Sequence, residues 1–203
     1  LIPKLLLATR NPGKVREYSL LLQDAPFQLT SLTAEGIDEE VVESGDTLER
    51  NAELKALHYA SKDEYLVVAD DSGLEVDALG GLPGPISARF AGEGASDSDR
   101  IARLLRELEG LPWEKRTARF RCVIAIAQMN RVVQLCQGEC RGIIRVEPRG
   151  RQGFGYDPVF YLPELDKTMA ELSIEEKNRL SHRGKAARRA LEVLRGIRRE
   201  MAQ

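Results

Sequence analysis

Two long β-rich segments, residues 118–128 and 132–145, stand back to back with only Met129-Asn130-Arg131 between them. So short a join calls for an extended antiparallel hairpin. The earlier part of the chain is patterned differently. Residues 4–8 read as a short buried strand, followed by the turn Thr9-Arg10-Asn11-Pro12-Gly13-Lys14. Asn11 suits a helix cap and Pro12 the first helical position, where a missing N–H costs nothing. The helix that follows, to about residue 23, turns Val15, Tyr18, Leu21 and Leu22 inward. A second strand near residues 27–32 leads to an acidic loop at 38–45. Asp46 then caps a helix, with Glu49 at the capping-box position, that runs to about residue 61. The apolar run 65–69 predicts a buried strand ending at Asp70-Asp71-Ser72-Gly73. A glycine- and proline-dense loop at 79–85 and a charged helix at about 97–109 precede the hairpin. Beyond it lie Gly153-Phe154-Gly155-Tyr156-Asp157-Pro158 and a short helix boxed by Ser173 and Glu176. Ser181-His182-Arg183-Gly184 interrupts that helix before a last one runs to the C-terminus. Strands spaced by helices first, with a long hairpin later, predict a mixed α/β fold. Nothing resembles a repeat or a linker, so one domain over 1–203 is expected.

Charge limits the partners. The formal net charge is −2, so no global field draws nucleic acid or an anionic membrane, and neither is expected as a partner. Basic residues gather between Arg179 and Arg199, in a run that reads as a solvated helix face. No apolar run approaches the roughly 18–20 residues that cross a bilayer. Leu5-Leu6-Leu7 is too short for a signal peptide, which makes the cytoplasm the expected location. Cys122, Cys136 and Cys140 match no ligand pattern. Cys136 and Cys140 on one strand would lie about 13 Å apart, too far for a disulfide. All three read as small core residues.

Three places carry chemistry. At the turn after the first strand, a helix N-terminus and Lys14 suit a phosphate, although an ordinary capped turn would look the same. GxxxxGK[ST] is absent, so this is not a Walker A loop. At Asp70-Asp71, adjacent carboxylates repel unless a cation or donors stand between them, and Mg²⁺ is the natural cation. The alternative there is a surface turn with solvated acids. Strand alternation predicts that only one of the two faces a ligand. At the third place, glycines on both sides of Phe154 let a planar ligand approach and stack on the ring, with His182 and Arg183 as donors to its edge. His182 alone reads equally well as structural, and His58, mid-helix, reads as structural.

Taken together, Thr9-x-Asn11-x-x-Lys14, Glu43, Glu49-Arg50-Asn51-Ala52 with Lys55, Asp70-Asp71-Ser72-Gly73-Leu74, Gly153 to Pro158 and Ser181 to Gly184 resemble the inosine triphosphate pyrophosphatases, or Ham1-like family. The resemblance runs nearly the whole chain. It implies hydrolysis of ITP, dITP and XTP to the monophosphate and pyrophosphate with Mg²⁺. It implies an α/β fold of two lobes around a long twisted mixed sheet with flanking helices, an active cleft between the lobes, and a homodimer. By matching position, Thr9, Arg10, Asn11, Pro12, Gly13, Lys14 and Lys55 would hold the triphosphate, with Ser72 a further substrate contact. Glu43 and Asp71 would bind metal, and Asp71 would also accept the proton of the attacking water. Phe154, Gly155, Tyr156, Asp157, Lys177, His182 and Arg183 would surround the base. Many relatives carry a small residue in place of Arg10, which adds a phosphate contact only if it points inward. The Maf-type enzymes, which prefer modified pyrimidines, are the nearest alternative; the Phe154–Asp157 and Ser181–Arg183 motifs argue against them. A non-catalytic nucleotide sensor would need neither Glu43 nor Asp71.

Overall fold

The computed structural model describes residues 2–61 and 65–203. Its seven-stranded mixed sheet has the order β2-β1-β3-β4-β5-β6-β7. The strands are β1 (Lys4–Leu7), β2 (Gln28–Ser31), β3 (Leu66–Val76), β4 (Thr117–Gln128), β5 (Arg131–Ile144), β6 (Phe160–Leu162) and β7 (Lys167–Thr168). The helices are α1 (Pro12–Leu21), α2 (Leu48–Ala60), α3 (Asp97–Glu107), α4 (Ile174–Leu180) and α5 (His182–Glu200). β1 pairs in parallel with both β2 and β3, whereas β5–β6 and β6–β7 are antiparallel. The expected mixed sheet with flanking helices is therefore present. The hairpin is present too, and Met129 and Asn130 at its tip both take positive φ, 50° and 63°. That is the backbone a two-residue turn needs to match the twist of its strands.

By internal contacts the chain forms two compact units. The first comprises residues 1–71, 122–138 and 183–203, and the second residues 72–121 and 139–182. In the first, β1 sits between β2 and β3, so the chain leaves β1 to one side and returns to the other. The carboxyl ends of β1 and β3 thus flank a topological switch point, where open α/β sheets place their ligands. Alternation along the strands feeds two cores. Leu5, Leu7, Leu66 and Val68 pack with Tyr18 of α1 and with Ala186, Ala187, Ala190 and Leu194 of α5. Leu6, Val67 and Ala69 pack on the other face with Leu48, Ala52 and Ala56 of α2. Each such leucine contributes about 1.5–3 kcal/mol by leaving water.

The second unit has its own core, in which Leu104 and Leu108 of the α3 segment meet Phe120, Tyr156, Phe160 and Met169. Gly73 is obligatory here, because a Cβ on it would stand 2.3 Å from the carbonyl oxygen of Gly84. Ser87 seals that approach, its hydroxyl donating to the Gly84 carbonyl and accepting from the Leu74 N–H.

Local signals place most helix ends. The Asn11 side chain accepts from Lys14 N at 3.1 Å, and Ser173 and Glu176 form the expected capping box. Three boundaries differ from expectation. The cap of α2 is Thr47, not Asp46, since it is the Thr47 hydroxyl that reaches the Arg50 N–H, at 3.1 Å. Ser181 alone separates α4 from α5, so His182, Arg183 and Gly184 form the first turn of the last helix. β3 does not end at the aspartates but runs through them to Val76. Among the described residues, no helix is long and apolar enough to cross a membrane.

Candidate active site

The turn after β1 folds on itself before it meets anything else. Thr9 Oγ1 accepts from the Asn11 N–H at 3.2 Å, and the Asn11 cap then starts α1. This brings Lys14, in the first turn of α1, to the carboxyl end of β3, where its Nζ lies 3.0 Å from Asp70 Oδ1. Arg10 points away from this pair. Its guanidinium donates to the carbonyls of Ile37 and Glu39, at 2.7 and 2.8 Å, and so ties down the start of the acidic loop. Tyr59 donates to the same Glu39 carbonyl at 2.8 Å. His58, read as structural, pairs with the Glu39 carboxylate.

Because side chains alternate along β3, its two aspartates face opposite layers. Both are buried, 1% and 5% exposed. Asp70 continues the Leu66, Val68 face toward α1 and α5. There it meets Lys14 and, at 3.7 Å, Nε of Arg183, whose Nη1 lies 2.5 Å from Glu17 Oε2. Asp71 continues the Val67, Ala69 face toward α2. Asn51 donates to its Oδ2 at 3.1 Å and Lys55 lies 3.4 Å from its Oδ1. Lys55 also reaches Glu43 Oε1 at 2.8 Å. A strand can carry two adjacent carboxylates through a core because each layer supplies its own cations.

The two carboxylates differ in acidity. Burial works against the ionised form of Asp70, but Lys14, then Arg183 and Lys55, outweigh it and hold the carboxyl below its ordinary range. For Asp71 burial wins: Lys55 and Lys14 oppose it, Glu43 and Asp70 reinforce it, and the pKa is raised. Glu17, Glu43, Asp70 and Asp71 thus share Lys14, Lys55 and Arg183 in one network. Glu43 and Asp71 share Lys55 and present hard oxygen donors, a set that fits Mg²⁺ with water and phosphate oxygens completing the shell. Among the described residues no group of three or more His, Cys, Asp or Glu forms a closed metal cage.

The other predicted residues lie in the second unit. Gly153 and Gly155 both take positive φ, 77° and 63°. The tight turn between them lets the Phe154 N–H donate to Asp157 Oδ2 at 2.9 Å. That carboxylate also receives the buried Lys177 ammonium at 2.5 Å, and Lys177 Nζ lies 4.8 Å from the centre of the Phe154 ring. The Gly155 N–H donates to Asp97 at 2.7 Å. Tyr156 belongs to the core, with its hydroxyl donating to the Ser87 carbonyl at 2.9 Å. His182 is buried and stacks on Phe120, with centroids 4.7 Å apart. Ser72, half-buried, opens this unit's part of β3. Arg183 belongs to the first unit, as the counter-ion of Glu17 and Asp70.

Motif reading missed Glu17 and Asp97, and it named Asn51 only as part of the Glu49–Ala52 segment. Glu17 stands three residues after Lys14, on the same face of α1. Asn51 stands four before Lys55, on the same face of α2. Helical spacing from a suspected lysine would have found both.

A profile described as the Ham1 family matches residues 5–193. This chain belongs to that family. Among the Ham1 relatives, a dITP/XTP pyrophosphatase of Desulforamulus reducens is 52% identical, over 94% of this chain and 95% of its own. One of Bacillus subtilis is 46% identical, over 93% of this chain and 96% of its own. A solved HAM1 protein from Coxiella burnetii superposes with a TM-score of 0.87 at 40% identity, covering 96% of this chain and all of that one. The Staphylococcus aureus Ham1 protein gives a TM-score of 0.84, also at 40% identity, over 95% and 98% of the two chains.

Proposed function

We propose that this Ham1 protein hydrolyses the non-standard purine nucleoside triphosphates ITP, dITP and XTP to the monophosphate and pyrophosphate. The observation that carries the proposal is the grouping of Lys14, Lys55, Glu43 and the Asp70–Asp71 pair at a switch point, in a chain about half identical to dITP/XTP pyrophosphatases. The Thr9–Lys14 turn and Lys55 take the triphosphate. An ammonium has three N–H donors, so Lys14 can keep Asp70 and still donate to a phosphate oxygen. Glu43 and Asp71 would hold Mg²⁺, which would neutralise phosphate charge. Asp71 would also orient the attacking water and accept its proton.

The base would be met by Phe154, Lys177 and His182, as the family resemblance implies. Phe154 offers a ring for stacking, and Lys177 and His182 are the donors nearest in type to what a purine C6 oxygen needs. Hypoxanthine and xanthine present an acceptor there, whereas adenine presents an amino donor. A site built on such donors can reject the wrong partner by about 10⁴. The same reading carries a homodimer and a cytoplasmic location, supported by kinship alone.

The test is a pyrophosphate-release assay on ITP, dITP, XTP, GTP and ATP, with and without Mg²⁺. Mg²⁺-dependent release of pyrophosphate from the first three, with ATP nearly inert, is the expected result. Orthophosphate as the product, or equal turnover of ATP, would overturn the reading.

A further inference from the structure

Residues 37–45, which carry Glu43, form neither helix nor strand. Where Glu43 stands therefore depends on side chains that reach the loop. Two come from one face of α2, a single turn apart, and each also touches Asp71. Lys55 is the charged bridge, between Glu43 and Asp71 Oδ1. Asn51 is the neutral one. Its Oδ1 accepts the Gly45 N–H at 2.8 Å and its Nδ2 donates to Asp71 Oδ2 at 3.1 Å. The two oxygens of Asp71 are thus divided, one to each bridge.

The amide at position 51 is chemically required. One neighbour is an N–H that only donates and the other a carboxylate that, ionised, only accepts. An aspartate would set a second carboxylate against Asp71, and an aliphatic residue would take the Asn51 hydrogen bonds from the Gly45 N–H and from Asp71 Oδ2. Asn51 is fully buried, so water does not substitute for it. Gly45 is shaped to the contact as well. A Cβ on it would come within 2.7 Å of Asn51 Oδ1 and 2.8 Å of Arg50 Cγ.

The two bridges behave differently toward a cation. Lys55 competes with it for the same two carboxylates, whereas Asn51 carries no charge and does not. We propose that Asn51 is a positioning residue: by joining Gly45 to Asp71 it holds Glu43 and Asp71 at the separation a divalent cation needs, whether or not Lys55 is engaged. The proposal rests on the metal-dependent reading above.

The experiment compares the wild-type chain with Asn51→Ala and Gly45→Ala. Mn²⁺ binding without nucleotide is followed by electron paramagnetic resonance, and kcat and KM for ITP are measured across a Mg²⁺ series. Loss of a residue that orients metal ligands costs roughly 10–100-fold in metal affinity or activity. Both variants should therefore weaken Mn²⁺ binding by roughly that factor and move the Mg²⁺ half-saturation point upward. Raised Mg²⁺ should restore much of kcat, with the KM for ITP changed little, a rescue that a purely structural defect would not allow. Wild-type Mn²⁺ affinity and Mg²⁺ dependence in both variants would overturn the proposal. If Asn51→Ala does not fold, Gly45→Ala, which keeps the amide, decides alone. Should the wild type bind Mn²⁺ yet release no pyrophosphate, the proposed activity fails while the Mn²⁺ comparison still judges Asn51. A wild type that binds no divalent cation overturns both.

Discussion

Charge is organised in opposite ways in the two units. Around the acidic pair of the first, Lys55 joins Glu43 to Asp71 and Arg183 joins Glu17 to Asp70, which Lys14 also meets. In the second, the buried Asp157 meets the buried Lys177, and the Phe154 ring lies against the ammonium. The first arrangement is a network that ties β3 to three helices; the second is a single ion pair beside an aromatic ring. Under the proposed function the network would meet the triphosphate with its cation, and the ring would meet the base.

The comparison breaks first at Asp71. Replacing it by Asn keeps the shape but turns an amide N–H onto one of two buried donors, Lys55 or Asn51, and removes both the proton acceptor and a metal ligand. We expect kcat to fall by roughly 10²–10⁴, together with a lowered Tm. Near wild-type turnover at saturating Mg²⁺ would sink the catalytic assignment. Next in size is Arg183→Ala. Removing one partner of a buried ion pair costs about 3–5 kcal/mol, which in a chain of this length lowers Tm by roughly 6–20 °C. An unchanged Tm with an altered ITP/ATP ratio would instead return Arg183 to reading the base. Smallest is Phe154→Ala. A base stacked on an aromatic ring is worth about 1–3 kcal/mol, so the KM for ITP should rise by roughly 5- to 150-fold with Mg²⁺ dependence unaltered. If Mg²⁺ half-saturation moved instead, the division of labour between the units would be wrong.

What the sequence made legible was local. Asn11 and Pro12 mark the start of α1, Ser173 and Glu176 that of α4, and the short join at Met129–Asn130 forces the hairpin, because each signal lies within a few residues of its effect. Asp46 and Thr47 are adjacent and both cap helices, so pattern alone does not choose between them. Nor does pattern show β3 continuing through two aspartates. The cations that make this possible lie far away in the chain, Lys14 before the strand and Arg183 more than a hundred residues after it. Arg183 shows the same limit, since its partner Glu17 is 166 residues distant. Which way Arg10 leaves the phosphate turn is open in the sequence; its guanidinium goes to the carbonyls of Ile37 and Glu39. Tyr156 lies inside a ligand-like motif and yet serves the core. Sequence spacing finds the turn that carries a residue; packing decides which way the side chain leaves it.

The cysteines hold a last consequence. Cys122, Cys136 and Cys140 are all free and buried. Burial pushes the Cys122 thiol up to about 12, with Asp70 adding to the effect, and the Cys136 thiol up to about 11. Cys122 and Cys136 therefore offer almost no thiolate to an alkylating reagent, since the thiolate is the reactive form. Opening the core that β1 and β3 share with α1 and α5 would expose both thiols, and their acidity would return to normal. The rate of labelling then becomes a clock for how often the protein opens, read from a mass shift without any engineered probe.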